Sequence, residues 1–322
     1  MTVSSDVSAP LVVVIGATGV QGGSVIRNLI QSDKPYRLRG ITRDVSKPAA
    51  QKLAQLGVEV VSANVVVGNE SGVQEAFKGA DIVFGVTNFW EHMDSSREVA
   101  EGKLMVDSAK AVGAKLFIFS GLPHVSKLSG GKFSHVAHFD SKAEIVEYAR
   151  SQLPTVDVQA GYYMTNLTAP MLAPEKQQDG AYIWTMQWDA TTPFPWIDMD
   201  ADYGLFVRYA IESSEYNQGG GTIFSYAEHA SHVHIASILE KVRGVSVKIA
   251  TPGAATFLAG LEQAGLPPTA LNIFGDLVYV TECGYWFGKE LEEEQKKVRG
   301  GLAREPRTFE EFLRANPDFF AA

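Results

Sequence analysis

The stretch Leu11-Val12-Val13-Val14-Ile15-Gly16-Ala17-Thr18-Gly19-Val20-Gln21-Gly22-Gly23 decides the fold. Five apolar, mostly β-branched residues read as a strand buried on both faces. The glycines then turn the chain, and Val25, Ile26, Leu29 and Ile30 follow at helical spacing. A strand, a glycine turn and a helix N-terminus together make an anion site. Unpaired backbone N–H groups and the helix dipole point at whatever sits there. In Gly16-x-x-Gly19-x-x-Gly22, the first glycine permits the tight turn and the second lets a pyrophosphate approach the backbone. The third lets helix and strand pack closely. The expectation is a dinucleotide site.

At 322 residues the chain has room for one large or two modest domains. Hydrophobic content of 45% beside 20% charged residues is that of an ordinary globular chain. Lys plus Arg number 28 against 37 Asp plus Glu, a net charge of −9. That balance argues against direct nucleic-acid binding, which needs a cationic face. A single cysteine, Cys283, forms no internal disulfide and points to a reducing compartment: the cytoplasm, alone or with the nucleus. Met1–Pro10 carries no basic residue and no apolar core, so it does not read as a signal peptide. No apolar run approaches a membrane span.

Outward from the glycine turn, Tyr36–Thr42 reads as a second strand, Val58–Ala63 as a third, Asp81–Val86 as a fourth, Leu116–Ser120 as a fifth and Val156–Ala160 as a sixth. Helices are expected at Ala49–Leu56, Ser71–Lys78, Val99–Val112 and from His138 onward. This alternation predicts an α/β fold with a parallel doubly wound sheet. At the end of the second strand, Arg43 suits a 2′-phosphate, whereas Asp44 one residue on would suit ribose hydroxyls. Arg43 is favoured, so the cofactor expected is NADP(H). After the fourth strand, Thr87 and Asn88 are placed to meet ribose or nicotinamide, with Phe89 and Trp90 as pocket walls. Gly121–Val136 reads as a long loop, placed as a lid or binding loop or else disordered.

The pattern then changes. Residues 170–180 read as irregular, Tyr182–Trp188 as an edge strand, and Pro193-Phe194-Pro195 as a break. Helices are expected at Asp200–Ser213, Val233–Val242, Ala254–Ala264 and Ala270–Tyr285, with strands at Thr222–Tyr226 and Val245–Ile249. Thr308 and Glu311 form a capping box for a last short helix. Residues 1–160 are taken as a Rossmann domain, with segments from about 196–250 returning to it. Residues 161–322 are taken as a smaller, mainly helical, interleaved domain for a substrate or partner. His229, His232 and His234 lack accompanying cysteines and straddle a strand-to-helix connection, so no metal site is expected.

Gly16-Ala17-Thr18-Gly19-Val20-Gln21-Gly22-Gly23, Ile41-Thr42-Arg43, Val86-Thr87-Asn88-Phe89-Trp90-Glu91, Glu101-Gly102-Lys103-Leu104, His138-Phe139-Asp140-Ser141-Lys142 and Gly161-Tyr162-Tyr163-Met164-Thr165-Asn166-Leu167 together resemble the NmrA-like family of atypical short-chain dehydrogenases. The likeness is tight over Leu11–Leu172 and looser beyond. It implies NADP(H) held by Gly16, Thr18, Gly19, Gln21, Gly22, Arg43, Asn88, Lys142, Tyr162 and Asn166. Short-chain dehydrogenases usually work through a Tyr-x-x-x-Lys pair on one helix face and a serine after the fifth strand. Here Ser120 and Lys142 keep their places, and His138 stands where the tyrosine would be. Ser120, His138 and Lys142 are therefore the candidate catalytic residues, His138 being able to exchange a proton near neutral pH. Where the family often has Gly-Asp after the third strand, this chain has Ala63-Asn64.

The resemblance leaves enzyme or non-enzyme open. It favours an NADP(H)-responsive redox sensor and regulator acting through a protein partner. Occupancy would order the Gly121–Val136 loop and alter a surface or the oligomeric state, with a homodimer among the forms left open. The alternative is an NADPH-dependent oxidoreductase of a quinone, enone or small carbonyl compound, in a cleft lined by Phe89, Trp90, Tyr162, Tyr163 and Trp184.

Overall fold

A computed structural model describes residues 3–169 and 171–320. Met1 and Thr2 of the polar N-terminus, Pro170 at the head of the irregular stretch, and the last two alanines lie outside the described residues.

The chain begins as five β–α units and a sixth strand. β1 (Leu11–Ile15), α1 (Val20–Ile30), β2 (Arg37–Thr42), α2 (Pro48–Gln55), β3 (Glu59–Ser62) and α3 (Glu70–Phe77) make the first half. β4 (Ile82–Gly85), α4 (Ser95–Ala111), β5 (Leu116–Phe119), α5 (Val125–Leu128), α6 (Ala137–Gln152) and β6 (Thr155–Ala160) make the second. Short strands follow at β7 (Tyr162–Tyr163), β8 (Glu175–Lys176), β9 (Tyr182–Thr185) and β10 (Pro193–Ile197). Then come α7 (Met199–Glu212), β11 (Thr222–Ser225), β12 (Glu228–Ser231), α8 (His232–Arg243) and β13 (Val247–Ala250). The chain closes with α9 (Ala254–Gln263), α10 (Pro268–Asp276), α11 (Tyr279–Cys283), α12 (Glu293–Gly300) and α13 (Phe309–Ala315).

Seven parallel strands form one sheet in the order β11-β6-β5-β4-β1-β2-β3. This is the expected doubly wound arrangement, and its direction reverses between β1 and β4. All five residues of β1 are buried, and their period of two splits them between the two cores. Val12 and Val14 pack under α1 and α7, while Leu11, Val13 and Ile15 face the core beneath α3, α4 and α6. A third core holds the C-terminal elements, built from Trp184, Trp188, Phe194, Trp196, Tyr279 and Phe309 among others.

Several expectations change. Val99–Val112 lengthens toward its N-terminus, because Asp94 accepts the amide of Arg97 and caps α4. The Gly121–Val136 stretch is not a free loop. It contains α5, and Val125, Phe133 and Val136 are buried in the C-terminal core. β9 is not an edge strand but the middle one of β13-β9-β8, since β13 arrives from more than sixty positions later. Nor do Pro193 and Pro195 break the chain. They lie in β10, opposite Ser231 and His229 of β12, and β7 pairs only with Trp196 and Ile197. The prolines thus occupy the part of β10 that has an open side, where a missing N–H costs no ladder bond. The expected helix at Ala270–Tyr285 is two helices, α10 and α11, with Asp276 at the junction accepting both the amide and Nδ1 of His135. Thr308 and Glu311 do form the capping box.

Within residues 196–250, α7 and β11 join the large sheet layer, whereas β12, α8 and β13 pack on the C-terminal side. α7 and α1 meet at close range through Gly204 and Ser24. Gly204 N donates to Ser24 Oγ at 3.0 Å, and a Cβ on Gly204 would lie 2.1 Å from the Ser24 carbonyl oxygen. Tyr203 beside it donates to the Val158 carbonyl at 3.0 Å, tying α7 to β6. Gly204→Ala is therefore expected to lower stability by about 2–3 kcal/mol through overpacking. The urea midpoint at constant slope measures this; a variant as stable as the parent would show that the two helices separate without cost.

Candidate functional site

A cleft of about 1260 Å³ runs along the carboxyl ends of the strands, at the β1/β4 reversal and between the sheet and the C-terminal elements. Gly16, Thr18, Gly19, Gln21, Gly22, Arg43, Thr87, Asn88, Ser120, His138, Lys142, Tyr162 and Asn166 all line it. The sequence spreads these residues over 150 positions, and the parallel sheet brings them to one edge.

The glycine turn is built to hold an anion. A Cβ on Gly22 would stand 2.3 Å from the Gly16 carbonyl oxygen, so α1 starts directly against the end of β1. No side chain caps α1, and no acid sits in its first turn. Its free amides are left for a ligand. Arg43 and Glu91, beyond the ends of β2 and β4, pair at 2.7 Å across the end of β1. Asn88 Nδ2 donates to the other Glu91 oxygen at 3.3 Å. Arg43 holds the Glu91 carboxyl below its usual range, first through the hydrogen bond and then through its charge. Asp44 turns to Ser46 instead: it accepts the Ser46 amide at 2.9 Å and the Ser46 hydroxyl at 2.6 Å.

Deeper in the cleft, Ser120 is buried, and Gln21 Nε2 donates to its hydroxyl at 2.8 Å. Lys142 on α6 donates to Thr87 Oγ1 at 3.1 Å and forms an ion pair with Glu98. Thr87 Oγ1 in turn donates to Glu98 at 2.6 Å, and the Ser141 hydroxyl donates to the second Glu98 oxygen. His138 packs against the rings of Phe89, Trp90 and Phe139, and its Nδ1 has no partner among the described residues. Burial, then the Lys142 charge, push its pKa down to about 3. At neutral pH His138 is an uncharged imidazole. It offers one N–H and one lone pair, not the readily lost proton of an imidazolium.

The other half of the cleft is apolar. Leu172, Trp188, Phe194, Leu266, Phe274, Leu277, Val280 and Tyr285 line it, and among the described residues no charged one of the C-terminal elements reaches it. Trp184 does not line it; its Nε1 donates to the Leu172 carbonyl at 2.9 Å from within the core, and Trp188 stands at the wall instead. Of the 121–136 stretch, only Leu122 reaches the cleft. That stretch is held on the C-terminal elements by its buried apolar residues and by His135 on Asp276. It therefore does not lie over the glycine turn. Glu98, Trp188 and Tyr285 were not singled out from the sequence. Glu98 carried no local signal, since it stands one residue before the helix expected from Val99.

The three neighbouring histidines separate. Among the described residues no group of three His, Cys, Asp or Glu side chains comes together to hold a metal. His232 is fully buried, within 4.7–5.5 Å of the rings of Phe194, Trp184, Trp196 and Trp188. Burial pushes its pKa down to about 3, and that of His229 down to about 4. Both are neutral in the fold, whereas the unfolded chain takes up a proton on each below pH 6.5. The sign is that stability is full above pH 6.5 and is lost as pH falls toward 3. His232→Phe is expected to lessen the acid loss between pH 6.5 and 4 by on the order of 3 kcal/mol. Urea midpoints across that range check it; parallel curves for the two proteins would refute it.

Among the described residues no helix is long and apolar enough to cross a membrane. The chain matches the model of the NmrA-like family over residues 8–313. It is 31% identical over 265 residues, 77% of each chain, to an NmrA-like family domain-containing oxidoreductase, cpsB, of Aspergillus campestris. Its fold matches a crystal structure of NmrA, described as a negative transcriptional regulator in complex with NADP, with a TM-score of 0.78 and 21% identity. That match covers 96% of this chain and 95% of the other. It also matches the NADPH-dependent quinone oxidoreductase QOR2 of Escherichia coli complexed with NADPH, with a TM-score of 0.73 and 20% identity, over 95% and 99% of the two chains. With the doubly wound sheet, the glycine turn and nearly the whole length accounted for, the chain belongs to the NmrA-like family.

Proposed function

We propose that the cleft binds NADP(H) and that the chain is an NADPH-dependent reductase of an uncharged, apolar quinone, enone or related carbonyl compound. The observation that carries this reading is the division of one cleft into two halves. The sheet-edge half has the uncapped α1 amides, Arg43, Thr87, Asn88 and Lys142; the other half is aromatic and aliphatic without charge. The first suits a phosphorylated dinucleotide and the second a flat apolar molecule. The names of the oxidoreductase relatives support the same reading.

In it, the Gly16–Gly22 turn takes the pyrophosphate and Arg43 the 2′-phosphate, since the Asp44 carboxylate is committed to Ser46. Binding there exchanges the Arg43–Glu91 pair for an Arg43–phosphate pair. Asn88, Tyr162 and Asn166 bound the nicotinamide side, and Lys142 reaches a ribose hydroxyl or the substrate oxygen. When bound, the nicotinamide supplies hydride. Ser120 and His138 serve as neutral hydrogen-bonding groups beside the reacting atoms. Trp188, Phe194 and Tyr285 exclude water.

A second reading is favoured by one observation: the position of the usual tyrosine holds an uncharged histidine. In that reading the protein senses NADP(H) and acts through a regulatory partner or a second copy of itself, with little turnover. The NmrA structure's description as a transcriptional regulator lends it support.

Calorimetry with NADPH and NADH, then a turnover screen over quinones and aromatic enones, separates these. Arg43→Ala is expected to weaken NADPH binding by about 10–100-fold and to leave NADH within about twofold, the range of a charge-assisted contact to one phosphate. Equal losses for both dinucleotides would remove Arg43 from the 2′-phosphate role. NADPH binding with no consumption across the panel, together with a cofactor-dependent change in sedimentation, would favour the sensor.

A further inference from the structure

Glu98 is a buried acid that the proposed chemistry does not use. It lies on α4 with about 3% of its surface exposed. Both of its oxygens are engaged. One accepts from Thr87 Oγ1 at 2.6 Å and from the Lys142 ammonium; the other accepts from the Ser141 hydroxyl. Lys142 has three N–H donors, and Glu98 and Thr87 take two of them. The third has no partner among the described residues, and Lys142 forms part of the cleft wall.

We propose that Glu98 is the positioning residue of the cleft. Its buried carboxylate fixes Lys142 as a charged hydrogen-bond donor aimed at the ligand, so that Lys142 acts on a ligand oxygen as a donor and not as a base. The ligand belongs to the proposed function; the Glu98–Lys142 relation does not need it.

The electrostatics run in the same direction. Burial draws the Lys142 pKa down, and the Glu98 charge and hydrogen bond oppose that. The other groups around Lys142 supply no substitute. Arg97 and Glu101 on α4 pair with each other at 2.8 Å. On α6, His138 is neutral and Asp140 pairs with His124 at 3.0 Å. Beyond β4, Glu91 is engaged by Arg43 and by the nearby His92. On the β6 side, burial keeps the Tyr162 and Tyr163 hydroxyls protonated. Among the described residues Glu98 is the one carboxylate within ion-pair distance of Lys142.

The test is a pH titration of the full chain labelled with 13C-lysine, with no ligand added. The Lys142 ε-methylene signal is identified by its loss in Lys142→Arg. In Glu98→Gln the Lys142 ammonium is expected to lose its proton at least about two pH units lower than in the parent, a hundredfold change in proton affinity. Thr87→Val removes one hydrogen bond and leaves both charges, and is expected to move it by less than about half a unit. Should Glu98→Gln fail to fold, Glu98→Asp draws the carboxylate back by one methylene and is expected to lower the midpoint by about half a unit or more. A midpoint in the Glu98 variant equal to the parent's would overturn the proposal. So would a Thr87→Val shift as large as that of Glu98→Gln. Failure here leaves NADPH binding and turnover to be judged separately, because neither enters the titration.

Discussion

The contact on which the rest depends is between two pieces of backbone: the start of α1 at Gly22 against the carbonyl of Gly16 at the end of β1. No methyl group fits between them. The close approach sets the direction of α1 and leaves its first amides pointing across the sheet edge. It also fixes the surface on which α7 lies, and that second helix again meets α1 through a glycine, Gly204 on Ser24. Two glycine contacts thus carry the position of the C-terminal half back to the first strand. α7 holds Tyr203, whose hydroxyl reaches β6, and α7 follows β10, which pairs with β7 beside the cleft.

Charge is distributed unevenly around this frame. The sheet edge collects Arg43, Glu91, Arg97, Glu101 and Lys142, while the C-terminal elements bring aromatic and aliphatic side chains to the same space. Each cation at the edge has a carboxylate partner: Arg43 has Glu91, Arg97 has Glu101 and Lys142 has Glu98. These pairs differ in kind. The Arg43 pair is open to water, so a phosphate can displace it at small cost. The Lys142 pair is buried and tied to Thr87 and Ser141, and removing one member would strand a charge. The first can yield to a ligand, whereas the second holds its geometry.

The half-buried His138 and the buried His232 show the converse arrangement. His138 and His232 sit among aromatic rings, with no carboxylate within ion-pair distance among the described residues, and both stay uncharged. His138 faces the cleft, while His232 belongs to the core that backs it. An imidazole read from the sequence as a proton-exchanging group near neutral pH therefore becomes a neutral one, because desolvation outweighs its intrinsic basicity.

The sequence by itself determined the parallel sheet, the glycine turn and the residues of the cleft edge. Each of these is written in local terms: a β-branched run, a spacing of three between glycines, a polar residue just after a strand. Because parallel strands all end on the same side, residues that follow strands must meet, so Gly16, Arg43, Thr87, Ser120 and Tyr162 were legible without coordinates. What only the tertiary structure decided was everything set by pairing across long separations. β9 gained its second neighbour from β13, Pro193 and Pro195 entered a strand because one side of it is open, and the 121–136 stretch was claimed by the C-terminal core. Glu98 belongs to this second group. An acid four positions into a helix looks solvated until α6 closes over it and presents a lysine, a serine and, from the strand end, a threonine.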